Sequence, residues 1–181
     1  MTRFIFIHGN GGTTWESPWA LWLERKIREL GFDTVFQTMP DPELARAEYW
    51  LPYLQDTLKV GEDDVLIGYS SGAVAAMRYA ESHTLYGSIL ISPSYTDLGN
   101  PIEKQSGYFG DKWLWNDIKK NQKKLAVVWG DDDPFIPQSE FAYIVLHLGA
   151  ERIKIPMGKH FQNKQDMAEV FKYIQKTYVK R

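Results

Sequence analysis

Short apolar runs alternate with longer amphipathic segments along the whole chain. The apolar runs are RFIFI (3–7), DTVFQT (33–38), DVLIG (64–68), GSILIS (87–92), KLAVVWG (124–130) and ERIKI (151–155). Such short and nearly continuous hydrophobic runs are typical of strands that are buried on both faces of a parallel sheet. The pattern therefore predicts six strands separated by helices.

The segments between these runs have the spacing of amphipathic helices. In SPWALWLERKIREL, the side chains of Trp19, Leu23 and Ile27 fall on one face, with Ser17 as the predicted N-cap before Pro18. The other predicted helices cover 42–59 with a kink at Pro52, 71–81, 113–121, 138–148 and 164–176. Strands alternating with helices through right-handed crossovers predict a doubly wound α/β fold.

Length and composition narrow the class of protein. The 181 residues predict a single domain spanning 1–181, and their charge and size suit a monomer or a weak dimer. The formal net charge of −2 gives no basic surplus for nucleic acid, and the lack of cysteine excludes disulfides and a cysteine nucleophile. The apolar run Phe4–Ile7 is too short for a signal peptide or a membrane span. We therefore expect a cytoplasmic protein with no membrane or nucleic-acid partner.

The motif Gly68-Tyr69-Ser70-Ser71-Gly72 lies where the third predicted strand leads into an alanine-rich helix. A serine on a sharp strand-to-helix turn can act as a nucleophile, and small flanking residues suit the crowded backbone of such a turn. The same residues also fit an ordinary turn with a serine that caps the following helix. The motif alone does not favour either interpretation.

A glycine-rich segment, His8-Gly9-Asn10-Gly11-Gly12, follows the first predicted strand. It matches neither of the two common glycine-rich phosphate-binding patterns. It either forms a flexible turn or provides the backbone N–H of Asn10 as a hydrogen-bond donor. Together with the N–H of Ser71, this donor would stabilise an oxyanion. In doubly wound sheets, residues after the strands border the ligand crevice, so the second interpretation has a geometric basis.

Three adjacent acids, Asp131–Asp133, follow the fifth predicted strand. A divalent metal ion needs more oxygen ligands than one loop tip supplies. One of these acids could instead accept a hydrogen bond from a histidine and fix its tautomer.

Of the histidines outside the first loop, His160 has the most suggestive position, because it follows the sixth predicted strand. His83 and His147 lie in or near predicted helices and have no such placement. Serine, aspartate and histidine thus occur in the chain order of α/β-hydrolases, each after its own strand. This order favours catalytic roles for Ser70 and His160.

On these residues the chain resembles the α/β-hydrolase superfamily, and more narrowly the small serine hydrolases related to retinoblastoma-binding protein 9 and the bacterial YdeN-type proteins. The matching stretches are 9–12, 68–72, 95–99, 106–109 with Trp113 and Trp115, 132–137 and 160–163. The resemblance implies a minimal, cap-less α/β-hydrolase that lacks the first two strands of the larger fold. It also implies a six-stranded parallel sheet of order 2-1-3-4-5-6 with helices on both faces.

The same resemblance implies that Ser70 is the nucleophile, that His160 is the general base and then acid, and that an aspartate orients His160. The superfamily spacing G-x-x-D-x-x-[VI]-P is matched by Gly130, Asp133, Ile136 and Pro137. Asp133 is therefore the preferred acid and Asp132 the second choice.

The implied function is that of a carboxylesterase-like serine hydrolase, which cleaves a small ester or amide through an acyl-enzyme and needs no metal or organic cofactor. The alternative is a protein-binding module on a hydrolase scaffold, with a protein partner and a weakly used triad.

Aromatic residues between the fourth and fifth predicted strands could either wall a substrate pocket or anchor a long loop to the core. The candidates for the pocket are Tyr95, Tyr108 and Phe109, together with Tyr69 from the G-x-S-x-G motif. For Trp113 and Trp115, which lie in a helix-like run, anchoring is the favoured interpretation.

Overall fold

A computed structural model describes residues 2–179 and contains a six-stranded sheet of order β2-β1-β3-β4-β5-β6. The strands are β1 (Arg3–Ile7), β2 (Asp33–Phe36), β3 (Val65–Tyr69), β4 (Leu85–Ile91), β5 (Gln122–Gly130) and β6 (Glu151–Ile155). All neighbouring strands are parallel, and Gly68 of β3 lies opposite Ile7 of β1 and Leu90 of β4. The predicted strand order is confirmed.

Helices follow the strands as the hydrophobic pattern predicts. They are α1 (Pro18–Glu29), α2 (Ala47–Pro52), α3 (Ser71–Ala80), α4 (Pro101–Gln105), α5 (Trp115–Lys120), α6 (Gln138–Leu148) and α7 (Ala168–Tyr178), with a π-helical turn at Tyr53–Thr57. Ser17 occupies the predicted N-cap position of α1, but its side chain makes no capping hydrogen bond.

The helix predicted over 42–59 is shorter than expected and changes type within its length. Ala45 has a left-handed φ of 52° and Arg46 is extended, so that α2 cannot begin before Ala47. After Pro52, which has no N–H to donate, the chain continues as the π-helical turn rather than ending at a kink. The helices predicted to begin at Trp113 and Lys164 begin later, and the short helix α4 was not predicted.

The core consists of one apolar layer on each face of the sheet. Alternation along β1 points Phe4 and Phe6 to the layer with α1 and α7, and Ile5 and Ile7 to the layer with α2, α3, α5 and α6. All four side chains are buried, as continuous hydrophobicity in a covered parallel strand requires. Within residues 2–179, no helix has the length and hydrophobicity needed to cross a membrane.

The buried His8 connects the carboxyl end of β1 to the segment after β2. Its Nδ1 lies 2.7 Å from the carbonyl oxygen of Gly9, and its Nε2 lies 2.8 Å from the backbone nitrogen of Met39. Because a carbonyl oxygen only accepts, Nδ1 carries the proton and Nε2 accepts the N–H of Met39. Burial lowers the pKa of His8, whereas the hydrogen bond to Gly9 acts in the opposite direction.

We expect the free energy of unfolding to decrease as the pH falls below about 6.5, because unfolded His8 then takes up a proton that the folded protein resists. In a His8→Gln variant this contribution to the pH slope should be absent, since glutamine does not titrate. Urea unfolding of both proteins between about pH 5 and pH 8 measures the difference. Equal slopes for the two proteins would contradict the assignment.

Candidate active site

Ser70 occupies a strained turn between β3 and α3. Its φ of 54° and ψ of −120° lie in a region that residues other than glycine rarely adopt. The Ser70 N–H donates to the carbonyl of Ile91 at 2.8 Å, and the Ser70 carbonyl accepts from the N–H of Ala73 at 2.9 Å. Backbone hydrogen bonds on both sides thus hold the turn and present the Ser70 side chain at the carboxyl edge of the sheet.

The two glycines of the motif allow close backbone contacts around this turn. A Cβ at Gly68 would lie 2.6 Å from Cα of Ala73, and a Cβ at Gly72 would lie 2.0 Å from the carbonyl oxygen of Ile7. Both distances are far too short for a side chain. The first turn of α3 therefore packs directly against the end of β1, which a larger residue at Gly72 would prevent.

Ser70, His160 and Asp133 form a chain of hydrogen bonds. His160 Nε2 lies 3.2 Å from Ser70 Oγ, and His160 Nδ1 lies 2.8 Å from Asp133 Oδ2. A carboxylate only accepts, so Nδ1 carries the proton and Nε2 is left to accept from the serine hydroxyl. The sequence-predicted residues from three different strand ends are therefore within hydrogen-bonding distance of one another.

The Asp133 side chain is completely buried and accepts several hydrogen bonds. Besides His160, the hydroxyl of Ser92 donates to Oδ2, and the N–H groups of Phe135 and Ile136 donate to Oδ1. Burial acts to raise the pKa of Asp133, but the hydrogen bond and charge of His160 together with the two N–H donors outweigh it and lower the pKa. Asp133 is therefore held as a carboxylate.

The two neighbouring acids hold the loop that carries His160. Asp131 Oδ1 accepts the N–H of Met157 at 2.9 Å, and Asp132 Oδ1 accepts the N–H of Lys159 at 2.7 Å. Met157 and Lys159 have left-handed φ values of 53° and 50°, so each carboxylate stabilises a strained residue. The three acids thus diverge, and among the described residues no group of three or more His, Cys, Asp or Glu could hold a metal ion.

A cavity of about 430 Å³ opens beside Ser70 and His160. Its lining includes Asn10, Ser71, Tyr69, Leu98, Glu103, Phe135, Ile136 and Gln162. Tyr69, which the sequence assigns to the pocket, lies on its wall and donates its hydroxyl to the His160 carbonyl at 2.6 Å. Burial, followed by the charge of Asp133, raises the pKa of Tyr69, so its hydroxyl keeps the proton that it donates.

The backbone N–H groups of Asn10 and Ser71 make no hydrogen bond with other groups within residues 2–179. Ser71 is the first residue of α3, where backbone N–H groups have no partner within the helix. Both residues line the cavity with Ser70. The site therefore offers two free backbone donors beside a hydroxyl that is hydrogen-bonded to a histidine.

Three other aromatic residues predicted for the pocket lie elsewhere, which corrects that prediction. Tyr108 is 1% exposed and belongs to the core, and Phe109 packs against the same core cluster. Tyr95 stacks on Tyr143 with ring centroids 4.1 Å apart, outside the cavity lining. Burial of large aromatic surface thus places these side chains, rather than contact with a ligand.

Trp113 and Trp115 anchor the segment between β4 and β5, as favoured from the sequence. The Arg78 guanidinium lies 3.7 Å from the centre of the Trp113 ring and donates to the carbonyls of Tyr108, Asp111 and Lys112. Trp113 stacks on Trp115 at 5.3 Å. One buried arginine thereby fixes a long stretch of chain that has little regular structure.

Glu103 is a residue of the cavity wall that sequence reasoning missed. It is the third residue of α4, and its Oε1 accepts a hydrogen bond from Asn10 Nδ2 at 2.7 Å. In the sequence Asn-Pro-Ile-Glu it matches a helix-capping pattern, because Asn100 caps the N–H of Ile102. The pattern could have located the short helix α4, but it gives no indication that Glu103 turns toward the loop after β1.

Comparison with solved structures defines the fold as that of an α/β-hydrolase. The ydeN gene product of B. subtilis superimposes with a TM-score of 0.89 at 22% identity, covering 99% of this chain and 100% of that chain. Est1E from Butyrivibrio proteoclasticus superimposes with a TM-score of 0.76 at 16% identity, covering 97% and 86%.

The chain belongs to the serine hydrolase family, whose model matches residues 4–175. Serine hydrolase RBBP9 from Rattus norvegicus is 39% identical to it over 164 residues, which make up 90% of this chain and 88% of the relative. The resemblance seen in the sequence is thereby confirmed.

A Gly72→Ala substitution should destabilise the protein by about 3 kcal/mol, because the new methyl group would overlap the carbonyl of Ile7. Gly61→Ala is the matched control, since a Cβ at Gly61 meets no atom within 4 Å. Urea unfolding compares both variants with the wild type. Similar losses of stability in the two variants would contradict the tight packing of α3 against β1.

Proposed function

We propose that the protein hydrolyses a small ester or amide by nucleophilic catalysis, with Ser70, His160 and Asp133 as a catalytic triad. The observation that carries the proposal is the hydrogen-bonded chain from Ser70 through His160 to the buried Asp133, at the edge of a cavity with two free N–H donors. Membership in the serine hydrolase family supports the same chemistry.

In the proposed reaction, Ser70 Oγ attacks the acyl carbon while His160 Nε2 takes the hydroxyl proton. Asp133 holds the imidazole in the required tautomer and stabilises the imidazolium that forms. The N–H groups of Asn10 and Ser71 donate to the oxyanion, and removal of such a donor costs roughly 10²–10³ in kcat in measured cases. His160 then gives the proton to the leaving group. In the second half of the reaction, His160 takes a proton from water as the water attacks the acyl carbon, and then returns it to Ser70 Oγ.

The size and chemistry of the cavity favour a small substrate. Its volume of about 430 Å³ lies at the lower end of the range of small-molecule sites. Leu98, Phe135 and Ile136 supply apolar surface for a short acyl chain, and Phe135 is 57% exposed at the rim. The rest of the lining is largely polar. We therefore infer a short-chain substrate with a polar group rather than a long fatty acyl chain.

A fluorophosphonate should form one covalent adduct with the wild-type protein and none with Ser70→Ala, as measured by intact-mass spectrometry. The substitution should leave the melting temperature nearly unchanged, because both backbone hydrogen bonds of Ser70 are retained. If the folded wild type forms no adduct, the triad does not activate Ser70. A binding protein on the hydrolase scaffold, the alternative that the sequence left open, would then be favoured.

Asp133→Asn should lower kcat for a 4-nitrophenyl ester on the order of 10⁴-fold, because asparagine allows the unproductive tautomer of His160. Asp132→Asn is the matched control, since its side-chain oxygen can still accept the N–H of Lys159. We expect the control to stay within a few-fold of the wild type. The opposite ranking of the two variants would identify Asp132 as the triad acid.

A further inference from the structure

In the part of the chain that the structure describes, one hydrogen bond joins the loop after β1 to α4. Asn10 Nδ2 donates to Glu103 Oε1 at 2.7 Å across a sequence separation of 93 residues. Within residues 2–179, this is the one hydrogen bond that ties Asn10 to a part of the chain outside its own loop, because its carbonyl accepts only from Thr13. Asn10, which lines the cavity and has a free backbone N–H, is thus held by a residue of α4 that lines the same cavity.

Hydrogen bonds hold the backbone on either side of Asn10, but not the Asn10 N–H itself. Gly11 and Gly12 both have left-handed φ values, and their N–H groups bond to the carbonyls of Glu43 and Pro42. These bonds fix the loop after Asn10, and the hydrogen bond from His8 Nδ1 holds the Gly9 carbonyl before it, but the Asn10 N–H itself has no partner within residues 2–179. A hydrogen bond to a carboxylate is about twice as strong as one between neutral groups, so the contact with Glu103 is a substantial restraint.

Glu103 has no other evident structural task. It is partly buried in the cavity wall, and among the described residues no lysine or arginine forms an ion pair with it. Burial raises the pKa of Glu103, while the hydrogen bond from Asn10 acts in the opposite direction. Burial makes a charged carboxylate at residue 103 costly, and this carboxylate lies beside the site where the proposed oxyanion would form. We therefore expect Glu103 to have a role that offsets this cost.

We propose that Glu103 is a positioning residue, which acts through the Asn10 side chain to aim the Asn10 backbone N–H at the oxyanion formed on attack by Ser70. The proposal rests on the proposed function. It requires an acceptor oxygen at residue 103 and not a negative charge, because the charge itself repels the oxyanion. Glutamine at this position keeps an acceptor and removes the repulsion, whereas alanine removes both.

The test compares steady-state hydrolysis of the neutral ester 4-nitrophenyl butyrate by wild type, Glu103→Ala, Glu103→Gln and Lys104→Ala. We expect Glu103→Ala to lower kcat on the order of tenfold with little change in KM, since a misaimed donor weakens mainly the transition state. Glu103→Gln should match or exceed the wild type. Lys104→Ala, an exposed neighbour in α4, controls for disturbance of the helix.

A double-mutant cycle tests whether Glu103 affects kcat through the Asn10 side chain. Asn10→Ala keeps the backbone N–H but removes the donor to Glu103, so it should reproduce the loss seen in Glu103→Ala. The double variant Asn10→Ala/Glu103→Ala should be no slower than either single variant, because both remove the same contact. Asn10→Ala also keeps the proposal testable if Glu103→Ala fails to fold.

Three results of the comparison with 4-nitrophenyl butyrate would overturn the positioning role. They are wild-type kcat in Glu103→Ala, multiplied losses in the double variant, and a Glu103→Gln variant as slow as Glu103→Ala. If the loss in Glu103→Gln appears only with esters that carry an ammonium group, the carboxylate binds substrate charge instead.

Fluorophosphonate labelling separates these results from failure of the proposed function. If the wild type is labelled at Ser70 and Glu103→Ala is labelled equally fast, only the positioning role is overturned. A wild type that neither labels nor turns over the ester overturns both proposals.

Discussion

The contact between Gly72 and the carbonyl of Ile7 sets the geometry on which the candidate site depends. Because no side chain separates them, the first turn of α3 lies against the end of β1, and the chain must turn sharply to leave β3. Ser70 takes up this turn with its unusual φ and ψ. The packing of two backbones in the core thus stabilises a strained residue at the surface of the site, and the sheet provides the rigidity.

A second strained segment is the loop that carries His160, and its contacts show how three adjacent carboxylates can lie side by side. Each acid of the 131–133 run accepts backbone N–H groups from a different place, and Asp133 alone also meets the imidazole. Gly130 allows the approach, because a Cβ there would lie 2.2 Å from the carbonyl oxygen of Lys159. Like-charge repulsion is offset by separate sets of donors, and the histidine loop is held in a conformation that it would not adopt alone.

The hydrophobic pattern predicted six strands separated by helices, and the rule that sites lie at strand ends pointed to Ser70, the acids 131–133 and His160. The sheet order and the choice of Asp133 rested on the resemblance to α/β-hydrolases. The boundaries of α2 could not be predicted, because the buried Ala45 has a left-handed φ, a conformation that an alanine in the sequence does not signal. Apart from Tyr69, the pocket wall was not predicted either, because an aromatic residue such as Tyr108 suits a buried core as well as a ligand pocket. Periodicity reports burial and secondary structure, and it carries no information on which loops meet.

The short helix α4 contributes a wall of the cavity but no buried residue. It lies between the buried Ser94 and the core residue Tyr108, which attach its two flanks to the rest of the protein. Substitutions within α4 should therefore leave the free energy of unfolding nearly unchanged, and substitution of Glu103 also alters the cavity wall. Because α4 buries no side chain, its positions other than Glu103 can diverge without endangering the scaffold, and this helix is therefore a natural place to engineer the proposed activity.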